Sequence, residues 1–152
     1  MNNIKLCSGK GRYHTDLKNP LNALGWDDIA SLVDSPQDVG KAHAQWLIPG
    51  ALLVRAKERQ EAGGEFWALW LDIDDAPSAI SVVADFVDGV TGGCRYEVYT
   101  SKSATIETPK SRGIIPLANP LTPSEWKACQ EVLNDRLEDA GIKPDRSSEG
   151  VS

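Results

Sequence analysis

Cysteine is scarce: Cys7, Cys94 and Cys129 are the only three, far apart and without CxxC spacing. That excludes a disulfide framework and a zinc knuckle. His14 and His43 are the only histidines and stand isolated, so they read as ordinary side chains. No apolar run approaches the roughly 20 residues of a membrane span. The opening MNNIKLCSGKGRYH holds no signal-peptide apolar core. An excess of base is also missing, since 16 Lys and Arg face 22 Asp and Glu for a net charge of −6. That balance counts against nonspecific nucleic-acid binding by the whole surface. The expectation is a soluble cytoplasmic protein with no membrane partner.

What is present is an ordinary globular composition, 41% hydrophobic and 25% charged over 152 residues. A chain of this length fits one domain, residues 1–152, and buries roughly 70% of its unfolded surface without a metal or disulfide staple. The charge is unevenly spread. Residues 61–90 hold seven acids and no Lys or Arg, whereas residues 91–115 carry four bases against two acids. A local acidic centre flanked by bases is compatible with the net charge, because net charge reports on solubility and steering rather than on one cleft.

Ser35-Pro-Gln-Asp38 has the signals of a helix start and predicts a helix to about Trp46, stopping before Pro49-Gly50. Ala51–Val54 reads as a short strand, and the polar stretch 55–64 as a loop or hairpin arm. Glu65–Asp74 is apolar on both alternating faces, as a central strand covered on both sides is. After Pro77, Ile80, Val83 and Val87 recur at helical spacing, and Gly89 and Gly92-Gly93 end that helix. Cys94–Thr100 alternates as a half-buried strand with Cys94, Tyr96 and Val98 on one face. Arg112–Leu117 is a second, short strand, with Pro116 suggesting an edge or a strand end. Thr122-Pro-Ser-Glu125 is a capping box, followed by a stripe of Trp126, Cys129, Val132, Leu133 and Leu137 closed by Gly141. The five tryptophans read as core packing, and the tail 143–152 as frayed. The fold class is α+β: a β-α-β-β-α core behind an N-terminal helical and strand extension.

The chemistry lies where the buried strand ends. Asp72 and Asp74 are two apart, so both carboxylates share a strand face. Such a pair repels itself unless a proton or cation intervenes, and Mg²⁺ and Mn²⁺ prefer oxygen ligands of this kind. Alternatively, the strand end merely shows solvated acids, with Asp75 capping the next helix. Farther on, Ser101, Lys102 and Ser103 enter a loop, and Lys110 and Arg112 share a face of the next strand. These are suitable donors for phosphate oxygens, although alone they describe an ordinary polar hairpin.

Taken together, Trp70-Leu-Asp-Ile-Asp-Asp75, Tyr99-Thr-Ser-Lys-Ser103, Lys110-Ser-Arg-Gly-Ile-Ile-Pro-Leu117 and Leu121-Thr-Pro-Ser-Glu-Trp126 resemble the catalytic domain of archaeo-eukaryotic-type primases. The closest flavour is the primase-polymerase of phages and prophages, over about residues 41–145. The resemblance implies an RNA-recognition-like core, Mg²⁺ or Mn²⁺, nucleoside triphosphates, a single-stranded DNA template and primer synthesis in replication. It also implies an isolated module of a longer primase-helicase type, with a helicase domain or protein as partner. Carried over, Asp72 and Asp74 are its catalytic metal ligands. Ser101, Lys102 and Ser103 fall on its nucleotide-binding motif, and Lys110 and Arg112 on its basic strand. The family's second motif often ends in His, where this chain has Ser103 or Ala104. Its third acid falls on Asp145.

Two other readings compete. A haloacid-dehalogenase-type phosphatase would use Asp72 as nucleophile and Asp74 as acid, but 70 residues precede the motif and Ala76-Pro77 follow it instead of Gly-Thr. A non-catalytic module of the same core would bind single strands or a replication protein, with Tyr96 or Tyr99 for stacking.

Overall fold

The computed structural model describes residues 4–11, 13–35, 43–74, 79–100, 104–105, 107 and 109–150. It is an α+β fold whose described residues form four α-helices and two three-stranded sheets. They divide into two compact units, one holding the chain to Ala68 with Pro116–Trp126, the other Leu69–Ile115 with Lys127–Gly150.

In the first unit, β1 (Leu6–Lys10) lies between β2 (Asn22–Leu24) and β3 (Gln45–Ile48), antiparallel to both. Gly9 pairs with Trp46, and a Cβ there would sit 2.2 Å from the indole, so only glycine admits the ring. α1 (Trp26–Asp34) buries Trp26 and Ile29, and Asp28 Oδ2 accepts the Gly25 N–H at 2.9 Å. The predicted helix from Ser35 to Trp46 is therefore corrected at both ends. Ser35 closes α1 and Trp46 belongs to β3, while residues 36–42 lie outside the described residues. The strand wins at Trp46 because its Leu-Ile continuation finds a ladder on β1.

Residues 55–64 also differ from the expected loop, since α2 spans Lys57–Gly63. Its Lys-Glu-Arg-Gln-Glu-Ala sequence is rich in good helix formers. The fully buried Gln60 explains why Ala51–Val54 is not a strand: its Nε2 donates to Leu52 O at 2.9 Å and Val54 O at 2.7 Å. The long β4 (Phe66–Ile73) begins in this unit, where Trp126 stacks on Phe66 at 5.0 Å and donates from Nε1 to Ala68 O.

The second unit carries the residues of chemical interest. It takes up β4 from Leu69, then α3 (Ile80–Thr91), β5 (Glu97–Thr100), the first part of β6 (Ser111–Leu121), and α4 (Pro123–Asp139) from Lys127. α3 ends at Gly92 with φ +65°, a left-handed cap that suits glycine. The strand order is β4-β6-β5, and β5 runs antiparallel to β6 with Tyr99 opposite Arg112. Leu71, Ile73 and Ile115 pack on Val83 and Val87 of α3 and on Leu133 and Leu137 of α4. The helices therefore cover one face of this sheet, and Asp72 and Asp74 project from the other.

α4 starts with the expected capping box: Glu125 Oε1 accepts the Thr122 N–H at 3.0 Å, and Thr122 Oγ1 accepts the Glu125 N–H at 3.3 Å. Its buried stripe is not the predicted one. Cys129 is exposed and Val132 is 50% exposed, whereas Gln130 and Asn134 are fully buried. The reason is the bare edge of β4, whose backbone groups require partners. Gln130 Oε1 accepts the Trp70 N–H at 3.2 Å and its Nε2 donates to Trp70 O at 2.6 Å.

The tail is docked rather than frayed. A 3-10 helix spans Arg146–Glu149. Trp70 Nε1 donates to Ser148 O at 2.6 Å, and Asn134 Nδ2 donates to Ser148 Oγ and Glu149 Oε1. Arg146 closes the arrangement by contacting Asp135 at 2.7 Å and Glu138 and Glu149 at 2.9 Å.

Candidate functional site

β4 fixes the two acids. Leu71 and Ile73 are held in the core, so the alternating Asp72 and Asp74 must take the opposite face. β6 places Lys110 and Arg112 beside them. Arg112 Nε lies 3.8 Å from Asp72 Oδ1, and Lys110 Nζ lies 3.8 Å from Asp74 Oδ1. The order of these pairs reverses along the two strands, which is the antiparallel sense. Gly113 lets β6 pass close over Leu71, since a Cβ there would meet its Cδ1 at 2.1 Å. Tyr99 extends the row from Asp72 through Arg112 and is half-buried. Tyr96 instead packs on the helix side, so of the two stacking candidates only Tyr99 shares the face of the acids.

The carboxyl of Asp72 is disfavoured as an anion. Burial pushes its carboxyl pKa up, and the charges of Asp74 and Asp145 add to this, while Arg112 and Lys110 oppose it. Its Oδ1 is sealed from solvent and finds no hydrogen-bond donor among the described residues. Burial also pushes the Tyr99 phenol up, with Arg112 opposing and Asp72 adding.

Asp145 reaches the site by its backbone, donating its N–H to Asp72 O at 2.7 Å. Its Oδ1 accepts from Ser147 N at 3.0 Å and caps the 3-10 helix. Asp72, Asp74, Lys110, Arg112 and the Asp145 backbone are thus brought together. Ser101, Lys102 and Ser103 lie outside the described residues, as does Asp75. Among the described residues, no three His, Cys, Asp or Glu side chains converge to hold a metal ion. Asp72 and Asp74 nevertheless suit a hard cation, which in nucleotide sites often takes only one or two carboxylates plus phosphate oxygens and water. The sealed acceptor on Asp72 is an atom that such a cation would satisfy.

The contribution of Gln130 is absent from the sequence reading. Its only signal was two polar residues, Gln130 and Asn134, four apart on an amphipathic helix.

The raised pKa of Asp72 sets a stability expectation. Ionising it costs more in the folded chain than in the unfolded one, so that cost appears as pH rises through the raised pKa and vanishes below the ordinary carboxylate range. Asp72→Asn should therefore raise the metal-free Tm at pH 7 by a few degrees; about 1 kcal/mol corresponds to roughly 2–4 °C at this size. The gain should shrink toward acid pH. Thermal melts across pH check it, and a lower Tm at pH 7 would contradict the electrostatic account.

Among the described residues, no helix is long and apolar enough to cross a membrane. No protein-family model, curated protein or solved structure matches the chain.

Proposed function

We propose that the second unit is the catalytic core of a metal-dependent nucleotidyltransferase of primase-polymerase type. The substrates are nucleoside triphosphates, used on a single-stranded DNA template in cytoplasmic replication of a phage or prophage, with a helicase domain or protein as partner. One observation carries the reading: Asp72 and Asp74 stand opposite Arg112 and Lys110 on adjacent strands, with Asp72 Oδ1 sealed and without a donor among the described residues. The strand order adds support. In the β-α-β-β-α succession from β4, the first strand neighbours the third and the third neighbours the second. That is the order of an RNA-recognition-like sheet.

In this reading Asp72 and Asp74 hold Mg²⁺ or Mn²⁺. Such an ion, when bound, polarises a phosphoryl oxygen and neutralises developing charge. Arg112 grips phosphate oxygens with a planar fork, and Lys110 adds a point charge. β4 is braced at Trp70 by Gln130 and at Asp72 by the Asp145 N–H, so the acids are presented on a fixed backbone. Preorganisation of this kind is what charge stabilisation in phosphoryl transfer requires.

The test is calorimetric titration of a nucleoside triphosphate with and without Mn²⁺, followed by primer extension on a single-stranded template. Wild type should bind nucleotide in a Mn²⁺-dependent way. Arg112→Ala should raise the Kd about tenfold or more, since a charge-assisted hydrogen bond contributes roughly 1.5–3 kcal/mol. Arg112→Lys should recover only part. Nucleotide affinity indifferent to both Mn²⁺ and Arg112 would remove the reading, and Mn²⁺-dependent binding without extension would favour the non-catalytic binding module.

A further inference from the structure

The ion pairs of this chain fall into two kinds. Arg146 makes contacts of 2.7–2.9 Å to Asp135, Glu138 and Glu149, which are direct charge-assisted hydrogen bonds. Lys110 and Arg112 stop at 3.8 Å from Asp74 and Asp72. At that distance a cation neutralises its partner without occupying a lone pair. Asp72 Oδ1 accordingly keeps an acceptor with no donor among the described residues, although a guanidinium stands beside it. Arg112 reaches solvent, with 53% of its side chain exposed, whereas Lys110 is half-buried at 29%.

We infer that Lys110 and Arg112 serve as resident counter-ions of Asp72 and Asp74, holding the place of a divalent cation until a triphosphate draws them away. This regulation of the site rests on the proposed nucleotide-binding function. Before nucleotide arrives, two positive charges repel an incoming divalent ion from the carboxylates. A triphosphate offers Lys110 and Arg112 better-matched anionic oxygens, and its own oxygens complete the coordination of the ion. No hydrogen bond need be broken to release either cation from its aspartate. Metal and nucleotide therefore bind with positive coupling, each strengthening the other by the same factor. The free protein holds metal weakly, and so does not carry a loaded ion without substrate.

The coupling is read from binding, without turnover. Mn²⁺ affinity is measured by electron paramagnetic resonance on the full chain, with and without a non-hydrolysable nucleoside triphosphate analogue. Lys110→Met should tighten Mn²⁺ binding in the absence of nucleotide roughly threefold or more, the scale expected for removing one nearby exposed charge. It should weaken nucleotide binding and reduce the coupling factor. Lys110→Arg should restore wild-type behaviour in the metal-only arm. Lys127→Met is the charge control, because Lys127 is exposed on α4, which covers the other face of the sheet. It should leave Mn²⁺ affinity unchanged.

If Lys110→Met leaves metal-only affinity unchanged, undetectable in both included, or weakens it, the counter-ion role is wrong. An equal tightening in Lys127→Met would reduce the effect to net charge and overturn it too. The two failures are separable. A wild-type protein with no Mn²⁺-dependent nucleotide binding removes the proposed function. Intact Mn²⁺-dependent nucleotide binding with an unmoved metal-only arm removes only the counter-ion role.

Discussion

Gln130→Met should destabilise the protein by about 2–5 kcal/mol, although methionine has nearly the same volume. The side chain of Gln130 is fully buried on α4 and bonds both backbone groups of Trp70, at 3.2 Å and 2.6 Å. It stands in for one residue of a neighbouring strand. Methionine fills the space and pairs with neither group. Losing a hydrogen-bond partner at a part-buried backbone group costs roughly 1–3 kcal/mol, and Gln130 serves two such groups. Urea unfolding should show a lower midpoint with unchanged slope, as a pure stability change requires. An exposed control such as Lys127→Met should stay within about 0.5 kcal/mol. If Gln130→Met matched that control, water would have to reach the Trp70 edge, and α4 would not be its necessary cover. Gln130→Glu separates the two bonds: it retains the acceptor for the Trp70 N–H, removes the donor to Trp70 O and buries a charge, so it should be no better than methionine at neutral pH.

Asp72→Asn combined with Asp74→Asn should abolish Mn²⁺-dependent nucleotide binding, with a loss of at least about 100-fold in affinity, or roughly 2.7 kcal/mol. Amides keep the shape of the strand end but remove the charge that draws a divalent cation. The fold should survive. The core of the unit uses Leu71 and Ile73 from the other face of β4, and removing the buried Asp72 charge lowers an electrostatic cost. A double variant that lost binding and also unfolded would be uninformative alone, so the Tm of each single variant must accompany it. The same groups set a pH dependence. Metal binding needs the carboxylate form. As pH falls through the raised pKa of Asp72, the proton competes and Mn²⁺ affinity should drop. Equal Mn²⁺ affinity in wild type and double variant would leave Asp72 and Asp74 as solvated acids at a strand end.

Much of the second unit was legible before any coordinates. Strand β4, helix α3 with its glycine end and the capping box of α4 each carry a local signal. By contrast, β5 is shorter than the expected 94–100 and leaves Cys94 exposed, and β6 runs through Pro116 to Leu121 between β4 and β5 rather than at an edge. Alternation, helical recurrence and capping chemistry act over a few residues, so neighbouring sequence suffices to specify them. The shared face of Asp72 and Asp74 follows equally from the two-residue period of a strand. So does the shared face of Lys110 and Arg112.

What sequence did not determine is each place where distant backbone needs a partner. Trp46 has helix signals upstream, yet it joins β3 because Gly9, 37 residues earlier, leaves room for its ring. Gln60 keeps Ala51–Val54 from being a strand by bonding the carbonyls of Leu52 and Val54. Gln130 and Asn134 look like solvent-facing residues until Trp70 and Ser148 stand beside them. The tail 143–152 reads as frayed, yet Arg146 ties three acids and Asp145, which the resemblance places as a third acid, meets Asp72 through its backbone N–H. The sequence by itself therefore determined the shared faces of the strands, Asp72 with Asp74 and Lys110 with Arg112. Tertiary structure alone decided which faces meet, because an unpaired backbone group is satisfied by whatever lies near in space, however far along the chain. The opposition of Asp72 to Arg112, 40 residues apart, belongs to that second class, and it is the contact on which the proposed chemistry depends.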